Sequence, residues 1–281
     1  MTILLTGGNG RTGSSIARRL HNAKIPFLVL SRSGSAPTPY KGCRFDWHDK
    51  ATYGIPFSQS SDVKAVYLVL GLAVTDLNAQ PVRDFIDFAR MKGVARFVAL
   101  SMSNAELGER VTGAVHQYLT ELPVDYVVLR PTWFMENFTH PKFSSIKRIG
   151  EMASATEDGK VSWISTDDVG AVAFKALTDE RLNYIDPILV GPELLSYDDV
   201  AQIIGDITGK TIRHVRVALD VFRARMEALA PSSVVEGLVE MEIEFANNLE
   251  ARSDNGEVER LSGQKPIRFR EWAEKNKASW I

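Results

Sequence analysis

Residues 4 to 13 read LLTGGNGRTG: an apolar run that breaks into glycines at positions 7, 10 and 13 immediately before an amphipathic stretch. That order of strand, glycine turn and helix leaves few folds open. In a parallel α/β sheet the first glycine permits a tight turn and the second lets backbone approach a pyrophosphate. The third lets the helix pack closely on its strand. The helix N-terminus then offers amide donors and the positive end of its dipole to phosphate. Thr6, Gly7, Gly10, Arg11, Thr12 and Gly13 are therefore the expected cradle of a dinucleotide.

The first half of the chain keeps this rhythm. Short apolar runs at Thr2–Thr6, Phe27–Ser31, Arg44–Phe45, Ala65–Leu70, Arg96–Ser101 and Tyr126–Arg130 have the continuous hydrophobicity of strands buried on both faces. Between them lie helical patterns: Val82, Phe85, Ile86 and Ala89 fall on one stripe, which ends at Gly93. The alternation predicts an α/β fold, a Rossmann-like doubly wound parallel sheet with right-handed crossovers and its ligand beyond the carboxyl ends of the strands.

After Arg130-Pro131 the pattern changes to an aromatic loop, Trp133 to Phe143, and then a strand at Val161–Ser165. Thr166-Asp167-Asp168 reads as the cap of a helix whose core face carries Val169, Val172, Ala173 and Ala176. A strand follows at Pro187–Val190. Ser196 reads as the N-cap of a helix bearing Val200, Ile203, Ile204 and Ile207, and further helices are expected beyond Ala218, interrupted at Asp254-Asn255-Gly256. Residues 1–130 are thus expected to form the cofactor domain, with helix 167–178 and strand 185–190 packed on it. Residues 131–165 and 191–281 would form a smaller, mostly helical, substrate-binding region.

Composition narrows the function by exclusion. A net charge of −2 offers no basic face for nucleic acid. The single cysteine, Cys43, cannot form an intrachain disulfide, and the five histidines lack metal-ligand spacing, so no metal is expected. No apolar run approaches the ~18 residues of a membrane span. A cytoplasmic monomer or homodimer acting on a small molecule is the expectation. No G-x-S-x-G elbow supports hydrolysis.

The second apolar run ends in Ser31-Arg32-Ser33, and no acidic residue occurs between Gly13 and Asp46. An NAD site places a carboxylate on the ribose 2′-hydroxyl, whereas a guanidinium flanked by hydroxyls suits a 2′-phosphate. NADP(H) is the expected cofactor. Asp46 is placed to touch the adenine amino group, and Leu70 and Gly71 to pass along the diphosphate or nicotinamide ribose. Ser101 and Pro131, at the ends of the fifth and sixth runs, complete the cofactor lining.

Short-chain reductases of this layout carry a Tyr-x-x-x-Lys pair after the fifth strand, where Tyr protonates the developing alkoxide. Between Asn104 and Asp125 this chain has no lysine, and its only tyrosine is Tyr118. Ser101, His116 and Glu136 remain as catalytic candidates, with Ser103, Asn104, Trp133, Phe134, Asn137 and Phe138 as substrate contacts. An aromatic wall of this kind can attract a cation.

LLTGGNGRTG, VLSRS, FDWHD, VLRPTWFMENF, SATEDGKVSWISTDDVGAVAFKAL and ILVGPELLSYDDVAQII together resemble the NmrA-like atypical short-chain dehydrogenases. Within that family they are most similar to the fungal festuclavine/agroclavine dehydrogenase group. The resemblance implies an NADP-binding Rossmann-like domain, and either reduction of small molecules, often iminium species, or NADP sensing by a non-catalytic regulator. Iminium reduction suits the missing Tyr–Lys pair, because hydride addition cancels the charge of C=N⁺ without a proton. A redox-mediated cyclisation of a prenylated indole alkaloid would need the same parts.

Overall fold

The computed structural model describes residues 1–70, 79–140, 144–228 and 232–281. The chain begins with β1 (Thr2–Thr6), α1 (Arg11–Asn22), β2 (Phe27–Ser31), β3 (Gly42–Arg44), α2 (Ile55–Gln59), β4 (Val63–Leu68), α3 (Gln80–Met91), β5 (Arg96–Leu100), α4 (Arg110–Thr120) and β6 (Asp125–Pro131). It continues with α5 (Ser144–Ile149), β7 (Glu151–Ser154), β8 (Lys160–Ser162), α6 (Thr166–Thr178), β9 (Ile188–Leu189), β10 (Leu194–Ser196), α7 (Tyr197–Thr208), β11 (Arg213–Arg216), α8 (Leu219–Glu227), α9 (Ser232–Ala246), α10 (Glu257–Ser262) and α11 (Phe269–Lys275).

Two compact units share these elements, one of residues 1–131 and 166–188, the other of residues 132–165 and 189–281. The first is built on a seven-stranded sheet of order β3-β2-β1-β4-β5-β6-β9. β1 pairs in parallel with both β2 and β4, setting Leu5 opposite Val29 and Tyr67. The strand order therefore reverses at β1, and the crevice beyond the carboxyl ends of β1 and β4 is where such a sheet takes its ligand. All five residues of β1 are buried, as a central strand covered on both faces requires. On α3 the stripe Val82, Phe85, Ile86 and Ala89 is fully buried, and Gly93 turns the chain with a φ of +88°.

The helix α6 packs on α1 within this unit. Asp167 was expected only as a cap. It does lie in the first turn of α6, where a negative charge suits the helix dipole. Its carboxylate also reaches α1, accepting from Ser15 Oγ at 2.7 Å, from Arg19 Nη1 at 2.8 Å and from Arg18. Burial alone would raise its pKa, but the bonds from Arg19 and Ser15 and the two guanidinium charges carry it down to about 2.

The second unit is mostly helical, as its sequence led us to expect. Besides its helices it holds two small sheets, with β7 parallel to β11 and β8 antiparallel to β10. Its core is aromatic: Phe138, Trp163, Tyr197, Phe245, Phe269, Trp272 and Trp280 pack with Met135, Ile146 and Ile204. The cap of α7 is as read from sequence. Ser196 Oγ accepts from the Asp199 amide at 3.1 Å, and the Asp199 carboxylate accepts in return from the Ser196 amide at 2.9 Å.

Candidate functional site

The glycine turn is built on backbone proximity. Gly7 has a φ of +63°, a conformation that favours glycine, and its carbonyl accepts from the Gly10 amide at 2.8 Å. A Cβ on Gly13 would lie 2.7 Å from Gly8 Cα and closer still to the Gly7 carbonyl oxygen, so α1 starts against the turn itself. Gly10 caps α1 without any side-chain bond, and no acidic residue occupies the first turn. The first-turn amides of Thr12 and Gly13 precede the first intrahelical bond, from Ser14 to Gly10 at 2.8 Å. This cradle, with no carboxylate to repel an anion, fits a pyrophosphate.

Two threonines expected to line the cofactor use their hydroxyls internally. Thr6 Oγ1 donates to the Tyr67 carbonyl at 2.9 Å and accepts from the Val69 amide at 2.8 Å, tying β1 to the end of β4. Thr12 Oγ1 accepts from the Tyr67 hydroxyl at 3.0 Å, so a buried tyrosine supports the start of α1. Desolvation holds that phenol well above its ordinary pKa. The Thr6 hydroxyl is thus committed within the fold, whereas that of Thr12 only accepts and keeps its own proton for a ligand. Tyr67 had no signal in the sequence beyond its place in an apolar run.

At the end of β2, Arg32 and Ser33 are exposed and Ser31 is half-buried. Ser31 Oγ donates to the Ser35 carbonyl at 2.8 Å, the hydroxyls of Ser33 and Ser35 lie 2.6 Å apart, and Asn9 Nδ2 donates to the Ser35 carbonyl at 3.1 Å. This loop is thereby joined to the glycine turn. Arg32 has no ion-pair or hydrogen-bond partner among the described residues. Asp46 follows β3 and accepts from the His48 amide at 3.0 Å. Leu70 lies just past β4, half-buried, while Gly71 falls outside the described residues. Arg11 sits in the first turn of α1, and Pro131 ends β6.

The loop after β5 carries Ser101, Ser103 and Asn104. The Ser101 amide donates to the Leu129 carbonyl at 2.8 Å and the Ser103 amide to the Pro131 carbonyl at 3.0 Å, so β6 holds the loop from one side. Arg130, only 8% exposed, completes the hold. Its Nη2 donates to the Ser103 carbonyl at 3.0 Å and to Glu106 Oε1 at 2.8 Å. Sequence reasoning missed this residue, although a lone arginine in the apolar run VVLRP was a signal. Glu106 and Asp186, its two carboxylate partners, are both substantially exposed, so removing Arg130 strands no buried charge but takes a donor from the Ser103 carbonyl. Arg130→Met is therefore expected to cost about 1–3 kcal/mol of unfolding free energy in urea titrations.

His116, a catalytic candidate in the sequence, lies inside the fold. It is 3% exposed on α4, with its ring 6.2 Å from that of Tyr126. Burial, with a smaller share from the Arg130 charge, lowers the pKa of His116 against the raising influence of Asp186 and Glu106. Tyr118, two residues along the same helix, donates to the two oxygens of Asp87 at 2.7 Å, and burial and that carboxylate push its phenol up to about 12.

In the second unit the loop after β6 has an inner and an outer face. Met135 and Phe138 are buried, whereas Trp133, Phe134, Glu136 and Asn137 are half-buried. Phe138, expected as a substrate contact, is a core residue: it is 1% exposed, with the rings of Trp163, Tyr197 and Phe269 at 4.7, 5.7 and 5.6 Å. Trp133 meets Phe245 edge-on at 5.4 Å. Glu136 Oε1 accepts from Ser165 Oγ and from Trp272 Nε1, both at 3.2 Å. No group of histidine, cysteine and carboxylate side chains among the described residues could hold a metal, and no described helix is long and apolar enough to cross a membrane.

The reversed strand order and the glycine turn at β1 define a Rossmann-like α/β protein. The chain belongs to the NmrA-like family, which it matches over residues 1–274. It is 41% identical to festuclavine synthase I of Penicillium roqueforti, over the whole of both chains. To an agroclavine dehydrogenase of Claviceps fusiformis it is 40% identical, covering 100% of this chain and 99% of that one. Among solved structures, a triphenylmethane reductase of Citrobacter sp. complexed with NADP(H) shares the fold with a TM-score of 0.79. That likeness holds at 19% identity and covers 99% of this chain and 100% of that one.

Proposed function

We propose that this chain is an NADP(H)-dependent oxidoreductase of fungal indole-alkaloid metabolism that reduces an iminium-type intermediate. The observation that carries the reading is the glycine turn: the close approach at Gly13 presents the first-turn amides of α1 to a pyrophosphate, and the Arg32 guanidinium at the end of β2 has no partner among the described residues. The names of the relatives, a festuclavine synthase and an agroclavine dehydrogenase, supply the substrate class.

Bound NADPH would supply hydride to the iminium carbon, whose π electron pair passes to nitrogen, so that step requires no proton. The chain's own residues fit that economy. The phenol on α4 is committed to Asp87, and α4 carries no lysine to acidify it. Ser101 and Asn104, held by β6 and Arg130, orient the reacting group. Trp133, Phe134 and Asn137, half-buried on the loop after β6, would supply ring surface for a flat cation and one amide.

The test is NADPH deuterated at nicotinamide C4, incubated with the purified protein and an N-methyl dihydro-β-carbolinium salt. Enzyme-dependent loss of NADPH with deuterium on the former iminium carbon is expected. Tight NADPH binding with no turnover of this or related aryl iminium ions would overturn the reductase reading in favour of cofactor sensing.

A further inference from the structure

Two tryptophans distant in sequence grip the aromatic loop 133–139 through their indole N–H groups. Trp272 Nε1 donates to Glu136 Oε1 at 3.2 Å, and Trp280 Nε1 donates to the Phe138 carbonyl at 3.1 Å. Both rings are almost wholly buried. An indole N–H in an apolar core must find an acceptor, and both find it on the same short loop.

The segment bearing them is itself fixed. Trp272 and Trp280 pack edge to face at 5.8 Å, Phe269 lies against Phe138 at 5.6 Å, and Lys210 Nζ donates to the Trp280 carbonyl at 2.8 Å. The other end of the loop is pinned differently. The Met135 amide donates to the Ile164 carbonyl at 2.9 Å, and the Ile164 amide to the Trp133 carbonyl at 2.8 Å. The loop is thus held at its start by backbone pairing and at Glu136 and Phe138 by indole donors. Its half-buried side chains, Trp133, Phe134 and Asn137, hang between the two anchors.

We propose that segment 269–280 is a strap that sets the position of the substrate-facing loop, with Trp272 and Trp280 as positioning residues for substrate fit. Glu136 is then an anchored acceptor for Trp272 and Ser165, and its carboxylate serves loop geometry. The substrate part of this proposal rests on the function proposed above; the strap itself does not.

The variants Trp272→Phe and Trp280→Phe each remove one donor while keeping a ring. Trp280→Phe serves as the independent test should Trp272→Phe fold poorly. Amide hydrogen exchange over residues 133–139 is measured without substrate, and steady-state kinetics with the dihydro-β-carbolinium salt. Faster exchange confined to the loop is expected, with KM for the iminium raised about tenfold, the ratio that one lost hydrogen bond of ordinary strength gives. The kcat should change less than KM, and the Kd for NADPH should not change. Unchanged exchange in both folded variants overturns the strap. Faster exchange with unchanged KM overturns its role in substrate fit. Wild-type protein that fails to turn over the iminium overturns the functional reading instead, and exchange then decides the strap alone.

Discussion

Gly13→Ala protein is expected to bind NADPH at least about a hundredfold more weakly than wild type, with the loss far exceeding that of Gly10→Ala. The two glycines look equivalent in the repeat but differ in what a methyl group would meet. At Gly13 it would collide with the Gly7 carbonyl oxygen and with Gly8 Cα at 2.7 Å, both backbone atoms of the turn. Neither can swing aside as a flexible side chain could, so α1 must retreat from β1 or the turn must open. Either movement misaims the first-turn amides, and losing two charge-assisted hydrogen bonds at about 1.5–3 kcal/mol each accounts for the hundredfold or more. At Gly10 the methyl would meet only the Gly7 oxygen, at 3.0 Å, which a shift of a few tenths of an ångström relieves. Calorimetric titration with NADPH on folded protein, checked by urea unfolding, separates the two. Equal losses at both positions would mean that the close packing of α1 does not shape the site.

What the sequence made legible follows from how local each signal is. The strands Thr2–Thr6 and Phe27–Ser31 are found where their apolar runs begin and end, because a strand covered on both faces has little polar sequence to blur its limits. The buried stripe of α3 and the capping box of Ser196 and Asp199 are likewise written within a few residues. The strand Arg213–Arg216 was not legible. Its sequence, RHVR, has a single apolar residue, and it is a strand only because it pairs with Glu151–Ser154, far away in the chain. The aromatic loop shows the same limit at the level of the site. Trp133 and Phe138 look alike in sequence, but the rings that enclose Phe138 come from positions 163, 197 and 269. Local spacing could not show which aromatic is core and which keeps surface. That Glu136 accepts from Trp272, 136 residues away in the chain, was beyond local spacing for the same reason.

Arg32→Ala is expected to raise the Kd for NADPH by about 10–100-fold, the worth of a charge-assisted bond to phosphate, and to leave the Kd for NADH nearly unchanged. The side chain is exposed at the end of β2 and has no partner among the described residues, so its removal should leave the fold intact. The surrounding hydroxyls are differently placed. Ser31, Ser33 and Ser35 bond one another or the Ser35 carbonyl, which Asn9 ties to the glycine turn, so the loop is shaped before any ligand arrives. A preshaped loop with one unpaired guanidinium should discriminate by charge and lose little through ordering. Two further outcomes follow from that physics. The NADPH preference of wild type should fall as salt is raised, because an exposed ion pair is screened. Arg32→Asp should favour NADH, since a carboxylate there repels a 2′-phosphate and can accept from ribose hydroxyls. An equal loss of both cofactors in Arg32→Ala would place the guanidinium on the diphosphate or in the loop's own structure, and the assignment of the 2′-phosphate site would then fail.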